Sequence, residues 1–150
     1  MTRARSARHH GAFIVLVVLS SAFAMGACSR AVDVPPASTG RACADFVKSL
    51  PATVDGAARR AVTPTDSGTA AWGDPAITLR CGVPVPPAAP GTSLLAVNGV
   101  DWLPQELSAG YRFTTRTAIG YVSVDVPGRY SPESDALVDL APALAAHAIG

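Results

Sequence analysis

Three cysteines, one histidine outside the first ten residues, and a handful of scattered carboxylates are the groups of this chain that could do covalent, metal or acid–base chemistry. Cys28 comes first, because its surroundings specify a reaction. Arg3, Arg5 and Arg8 make a basic start, Phe13 to Phe23 an apolar run, and Gly26-Ala27 places small side chains directly before the cysteine. A signal peptidase needs small side chains at that point. The layout reads as a lipoprotein signal peptide, residues 1–27, after which the Cys28 thiol is alkylated by a diacylglyceryl group and becomes the new N-terminus. From Gly11 to Ala27 the uncharged stretch gives about 25 Å of helix, marginal against a hydrocarbon core of about 30 Å. An uncleaved anchor, or ordinary cleavage near Ala24 to Ala27 that releases the protein, stand as the alternatives. Met25 and Gly26 depart from the usual Leu and Ala or Ser of such a site. No Arg-Arg pair marks the leader for the twin-arginine route.

With Cys28 lipidated, Cys43 and Cys81 remain as a pair, and outside the cytosol such a pair oxidises to a disulfide. Closing a loop of about 39 residues removes roughly 4 kcal/mol of chain entropy from the unfolded state. There is no Cys-x-x-Cys and no histidine near either residue, so redox catalysis and metal binding are not expected of them. His147 is the single histidine after the leader, and it lies by the chain end, a poor place to hold a base in register. Metal sites would need clustered ligands, and no glycine-rich phosphate loop is present. No cofactor and no metal are expected.

Asp66, Asp74, Asp101 and Glu106 could in principle supply a general acid and base, but nothing in their spacing brings two of them together. Asp74 and Asp101 stand at turns, where aspartate commonly bonds the backbone. Trp72 with Asp74, and Asp101 with Trp102, pair an aromatic with an acid and form the candidate binding surface. The competing role for both tryptophans is core, with the indole N–H on a nearby carbonyl.

The chain has 150 residues, with 12 Lys and Arg against 11 Asp and Glu. Removing the three leader arginines leaves nine basic residues against 11 acidic ones, a net charge of about −2. No basic stripe exists to neutralise phosphates, so nucleic acid is excluded as a partner. Arg59-Arg60, the one basic doublet, reads as a solvated turn.

These groups must be carried by a domain of residues 41–150, long enough for one core. Residues 28–40 hold the lipidated cysteine and Pro35-Pro36, and read as a tether. Cys43, Phe46, Val47 and Leu50 recur at helical spacing, predicting a helix over about Arg41 to Leu50 that Pro51 ends. From Ala52 to Asp74 the pattern is weak, with one possible short strand around Arg59 to Val62. Ala76 to Val83 alternates as a strand, while Pro84 to Pro90 holds four prolines and must be irregular. Asn98-Gly99 between Leu94–Val97 and Val100–Leu103 is the signature of a type I′ hairpin. Tyr111–Thr117 and Tyr121–Val126 alternate again, with Gly120 at the turn between them. Leu137, Leu140 and Leu144 form a helical stripe that Pro142 interrupts. Either the helix bends there, or it starts later with Asp139 as cap; the second is favoured. The expected fold is α+β: a small antiparallel sheet of about five strands, two short helices packed on one face, and one disulfide.

Val62-Thr63-Pro64, Ala71-Trp72-Gly73-Asp74-Pro75, Leu79-Arg80-Cys81-Gly82-Val83-Pro84, Val97-Asn98-Gly99-Val100-Asp101-Trp102, Tyr111-Arg112-Phe113-Thr114-Thr115 and Asp135-Ala136-Leu137-Val138-Asp139-Leu140-Ala141-Pro142 together resemble the actinobacterial family catalogued as domain of unknown function 3515. The resemblance spans about Arg41 to Ala145. It implies a small exported protein or lipoprotein of the cell envelope, and it carries no activity or ligand.

Three functions follow as expectations. The first is a non-enzymatic accessory lipoprotein on the outer face of the cell membrane, binding an envelope protein or glycan. The second is a hydrolase in which two of the four carboxylates meet across a cleft. The third is a carrier with an apolar pocket lined by Trp72 or Trp102.

Overall fold

The structure, a computed structural model, describes residues 30–37, 40–65 and 68–149. The leader with Cys28, and Asp66, lie outside the described residues. Helix α1 (Arg41–Ser49) forms where the apolar spacing placed it. Its Cys43 and Phe46 face inward with Leu50, while Lys48 donates to Asp45 on the solvent side at 3.0 Å.

Ten short and long strands follow or precede it among the described residues: β1 (Val32–Asp33), β2 (Thr53–Val54), β3 (Ala57–Arg60), β4 (Val62–Thr63), β5 (Thr69–Trp72), β6 (Ile77–Val83), β7 (Leu95–Val97), β8 (Val100–Leu107), β9 (Gly110–Thr117) and β10 (Gly120–Pro127). Helix α2 (Asp135–Ala145) closes the chain. The expected α+β fold with about five strands is therefore corrected. The protein is mostly β, with an eight-stranded sheet in the order β2-β3-β5-β6-β10-β9-β8-β7 and a separate pair β1-β4. The large sheet is antiparallel throughout. The strands missed are β1, β2 and β5, and the possible strand around Arg59 to Val62 falls across β3 and β4; all five are two to four residues each, too short to display a period of two. Asp55-Gly56 turns β2 into β3 with Asp55 at φ 48°, the same positive-φ chemistry as the Asn98-Gly99 hairpin that the sequence did announce.

The expected start of the second helix is also corrected. Helix α2 starts at Asp135 and runs through Pro142. The proline falls on the exposed side of the helix beside Val138, where water can serve the carbonyl left without an N–H. Asp139 does not cap the helix; its carboxylate accepts from the Asp55 N–H at 2.8 Å. Residues 30–34, within the stretch read as a tether, lie against the domain. Val32–Asp33 runs parallel to Val62–Thr63, Arg60 Nη2 donates to the Arg30 carbonyl at 2.6 Å, and Val34 is buried.

The core lies between the helices and one face of the sheet. Ile77, Leu79 and Cys81 of β6, Val122, Val124 and Val126 of β10, and Phe113 of β9 meet Phe46, Leu137, Leu140 and Leu144. Cys43 and Cys81 are disulfide-bonded, with Cα atoms 5.5 Å apart, which ties α1 to a central strand. The opposite face is polar and carries Arg80, Ser123, Thr114 and Arg112 in alternation with the core residues. Residues 84–94 leave β6 at the centre and must reach β7 at the far edge, four strand spacings away or about 19 Å. Gly82, at φ 79°, sits in β6 where the β6–β10 register shifts, so the strand bends just before this connection.

Replacing both Cys43 and Cys81 by alanine is expected to lower unfolding free energy by about 2–4 kcal/mol. Urea denaturation of the wild type and the double variant at one pH measures this; an unchanged midpoint would remove the crosslink from the account of stability.

Candidate functional site

The tryptophans settle their own role. Trp72 and Trp102 are both 0 % exposed. Trp72 donates its indole N–H to the Pro51 carbonyl at 3.0 Å and carries the Arg59 guanidinium over its ring at 5.3 Å. Fully buried, neither indole can present itself to a partner at the surface, so the binding surface expected around Trp72, Asp74, Asp101 and Trp102 is not built on the tryptophans. A carrier pocket walled by either indole is removed with it.

The doublet Arg59-Arg60 is not a solvated turn. Arg59 donates to the carbonyls of Val47 at 2.9 Å and Leu50 at 3.3 Å, the C-terminal end of α1. Carbonyls left over at a helix end are satisfied in this way, and cations are favoured there. Burial pushes the Arg59 guanidinium below its ordinary value. Arg60 reaches Gly73 O as well as Arg30 O.

The carboxylates are dispersed. Asp74 projects from the β5–β6 turn with a fully solvated side chain, 4.0 Å from Arg60. Asp101 and Glu106 lie on β8 five residues apart, hence on opposite faces and about 16 Å from each other. They border different cavities. Neither shares its cavity with another of the sequence candidates, although Glu106 shares one with Glu133, and no group of three metal-ligating side chains is found among the described residues. His147 is held: its carbonyl accepts from the Ala118 N–H at 2.8 Å, and its ring meets Phe46 edge-on with centroids 5.4 Å apart.

What the fold builds instead lies around residues 84–94. The β8–β9 ladder stops at Leu103–Thr114. Beyond it, Val100–Trp102 pair only with β7, and Thr115–Thr117 pair only with β10. The sheet forks. In the fork sits a cleft of about 620 Å³, floored by Leu144 and Leu103 and bordered by Val100, Asp101 and Thr115. Three of the large apolar side chains left in water, Val85 (70 % exposed), Leu94 (58 %) and Ile149 (48 %), rim this one opening. Apolar groups scattered singly over a surface signify little, whereas a cluster around a concavity marks a place for a partner or ligand.

A second cavity, of about 500 Å³, lies on the polar face of the sheet beneath Val83 to Pro87, with Pro36 and Ala37 also in its lining. Its sheet-side lining is Arg80, Ser123, Thr114, Arg112 and Gln105. Arg112 makes a two-pronged ion pair with Asp125, both bonds at 2.6 Å, which raises its pKa. The two cavities share Val85, Pro86 and Thr114.

Only Asp101 of the sequence candidates borders the apolar cleft. The others were missed because a cleft formed by diverging strands has no local motif. The alternation of Arg112, Thr114 and Arg116 against Tyr and Phe is the one trace of the polar wall in the sequence.

Fold and clefts define a small disulfide-linked β-sheet domain with two concavities under one strap. The chain belongs to the family described as protein of unknown function DUF3515, whose model matches residues 11–148. No curated protein and no solved structure matches it.

With both indoles in the core, tryptophan emission of the folded protein should be blue-shifted from that of the denatured chain and quenched only weakly by acrylamide. Efficient quenching of half or more of the emission would return one tryptophan to the surface.

Proposed function

We propose that this protein is a lipid-anchored binding domain on the outer side of the cell membrane, and that its binding site is the cleft in the forked sheet. The observation that carries the reading is the clustering of Val85, Leu94 and Ile149, all exposed, around a cleft of about 620 Å³. That volume falls in the range of about 300–1,000 Å³ in which ligand sites are found. The occupant is an envelope component that presents an apolar segment, an acyl chain or apolar side chains of a protein.

The membrane side of the reading is supported by the leader. The family match begins at residue 11, two residues before the apolar run, so the run belongs to the family pattern. Cys43 and Cys81 are consumed by each other, which leaves Cys28 as the thiol for alkylation. Two acyl chains at Cys28 would make attachment durable, since one alone binds marginally. Arg30 is already bonded to the domain through Arg60, so the anchor holds the domain against the bilayer and does not lift it away.

Two measurements test the two halves separately. Mass spectrometry of the N-terminal peptide should show diacylglyceryl mass on Cys28 in the wild type and none in Cys28→Ala; an intact leader in both would remove the lipid attachment. A photo-crosslinking residue at Leu94 should give adducts of discrete mass in native membranes, lost on Val85→Asp with Ile149→Asp. The same residue at Val138, exposed on α2 away from the cleft, should give none. Equal adducts at both positions would remove the cleft as the site.

A further inference from the structure

We infer that the polar cavity beneath residues 83–87 is a binding site for a phosphoryl group, with Arg80, Ser123, Thr114 and Gln105 as its donors. The inference goes beyond the apolar cleft and rests on Arg80, Ser123 and Gln105, which do not line it, with Thr114 bordering both.

The site is built by register. Arg80, Ser123 and Thr114 are direct cross-strand neighbours on β6, β10 and β9, which sets their Cβ atoms about 5 Å apart in a single row. The row beside it runs Asp125, Arg112 and Gln105. All but Asp125 line the same cavity.

Two of these groups lack a partner. Ser123 is 2 % exposed, and its Oγ makes no hydrogen bond. A hydroxyl so placed costs about 1–3 kcal/mol when left unmade. On a strand that otherwise presents valines to the core, an alanine would have avoided that cost. Arg80, half-buried beside it, has no carboxylate or carbonyl within bonding distance among the described residues, whereas the other half-buried arginines Arg59, Arg60 and Arg112 are each tied down.

The charge balance has one sign. Asp125 neutralises Arg112, and no acid lines the cavity, so the half-buried Arg80 guanidinium has no partner of opposite charge among the lining residues. An oxyanion is the complementary ligand, since a planar guanidinium fork binds it at two points. Hydroxyls from Ser123 and Thr114 and the Gln105 amide add donors from a second and third direction. A phosphoryl group, with three terminal oxygens, accepts from all of them; a carboxylate, with two, leaves donors unmet.

At about 500 Å³ the cavity is larger than a bare phosphate needs, and it adjoins the apolar cleft through Val85, Pro86 and Thr114. The phosphoryl group can therefore arrive free or at the head of an amphiphile whose chain lies in the cleft. The chain-bearing case alone rests on the function proposed above.

Thermal unfolding and isothermal titration of the full chain in maltoside micelles, at fixed ionic strength, test this with inorganic phosphate, acetate and hexyl phosphate. Inorganic phosphate should raise the melting temperature relative to chloride, and acetate should not. Arg80→Gln should weaken phosphate binding by about tenfold or more, the scale of one charge-assisted bond. Ser123→Ala should keep or raise the melting temperature without ligand, because it deletes an unpaired buried hydroxyl, yet lose most of the phosphate response. Hexyl phosphate binding tighter than inorganic phosphate identifies an amphiphile, and equal binding identifies the free anion; both outcomes support the phosphoryl site. No phosphate effect beyond that of chloride, acetate binding as tightly, or an unaltered response in Arg80→Gln and Ser123→Ala would overturn it.

Discussion

Pairing β10 against β6 is the constraint from which the rest of the molecule follows. The chain leaves β6 in the middle of the sheet, yet the next strand it forms, β7, lies at the far edge. The meander β7–β8–β9–β10 then works its way back to close on β6. Residues 84–94 have to traverse that whole width in one pass. Helices already cover one face, so the connection runs along the other, and its four prolines between 84 and 90 stiffen it as a strap that needs few hydrogen bonds of its own. Both concavities are consequences: one opens where β8 leaves β9 to pair with β7, the other where the strap spans the polar side chains beneath it.

The same strand carries the covalent constraint. Cys81 sits on the core side of β6, immediately after Arg80 on the polar side. Fastening Cys81 to α1 fixes the strand's height and rotation, because side chains alternate strictly between faces. A slip of one residue would turn Arg80 into the core and Cys81 toward the strap. The crosslink and the polar row are therefore positioned by one register, and core packing by Leu79, Val122 and Val124 holds it from the apolar side.

How much of this was legible depended on whether the determining contacts were local. Helix α1, strand β6, the Asn98-Gly99 hairpin and the two strands ending near Thr117 and Val126 announce themselves through period and turn chemistry, and the cysteine pair through its compartment. Strand β8 runs on through Pro104, past the point where alternation stops being readable. It is tolerated because β7 ends at Leu95 opposite Trp102, so that edge of β8 needs no N–H at residue 104. The short strands β1 to β5 exist only through tertiary pairing, and no sequence window of that size reports it. Trp72 and Trp102 misled because an aromatic next to an acid looks the same in a core as in a site. Arg59 and Arg60 misled in the opposite sense: two adjacent charges read as solvent-facing, although each has backbone carbonyls to bind.

Polar side chains are used in two ways, and the difference separates scaffold from site. Three half-buried cations end on a carbonyl or a carboxylate: Arg59 on α1, Arg60 on Gly73 and Arg30, and, on the polar face itself, Arg112 on Asp125. Such pairings stabilise the fold and leave nothing to offer a ligand. Arg80 and Ser123 break this rule together, on adjacent strands and in one cavity. Unmet donors are costly to bury; Arg60 Nε and Trp102 Nε1 are also buried without a partner, but of the three groups only Ser123 lines the cavity that holds Arg80. Two such exceptions side by side have a common explanation in an external acceptor. The family match reaches from residue 11 to residue 148, and Arg80 and Ser123 lie deep within it, on the strands that the disulfide and the core hold most firmly.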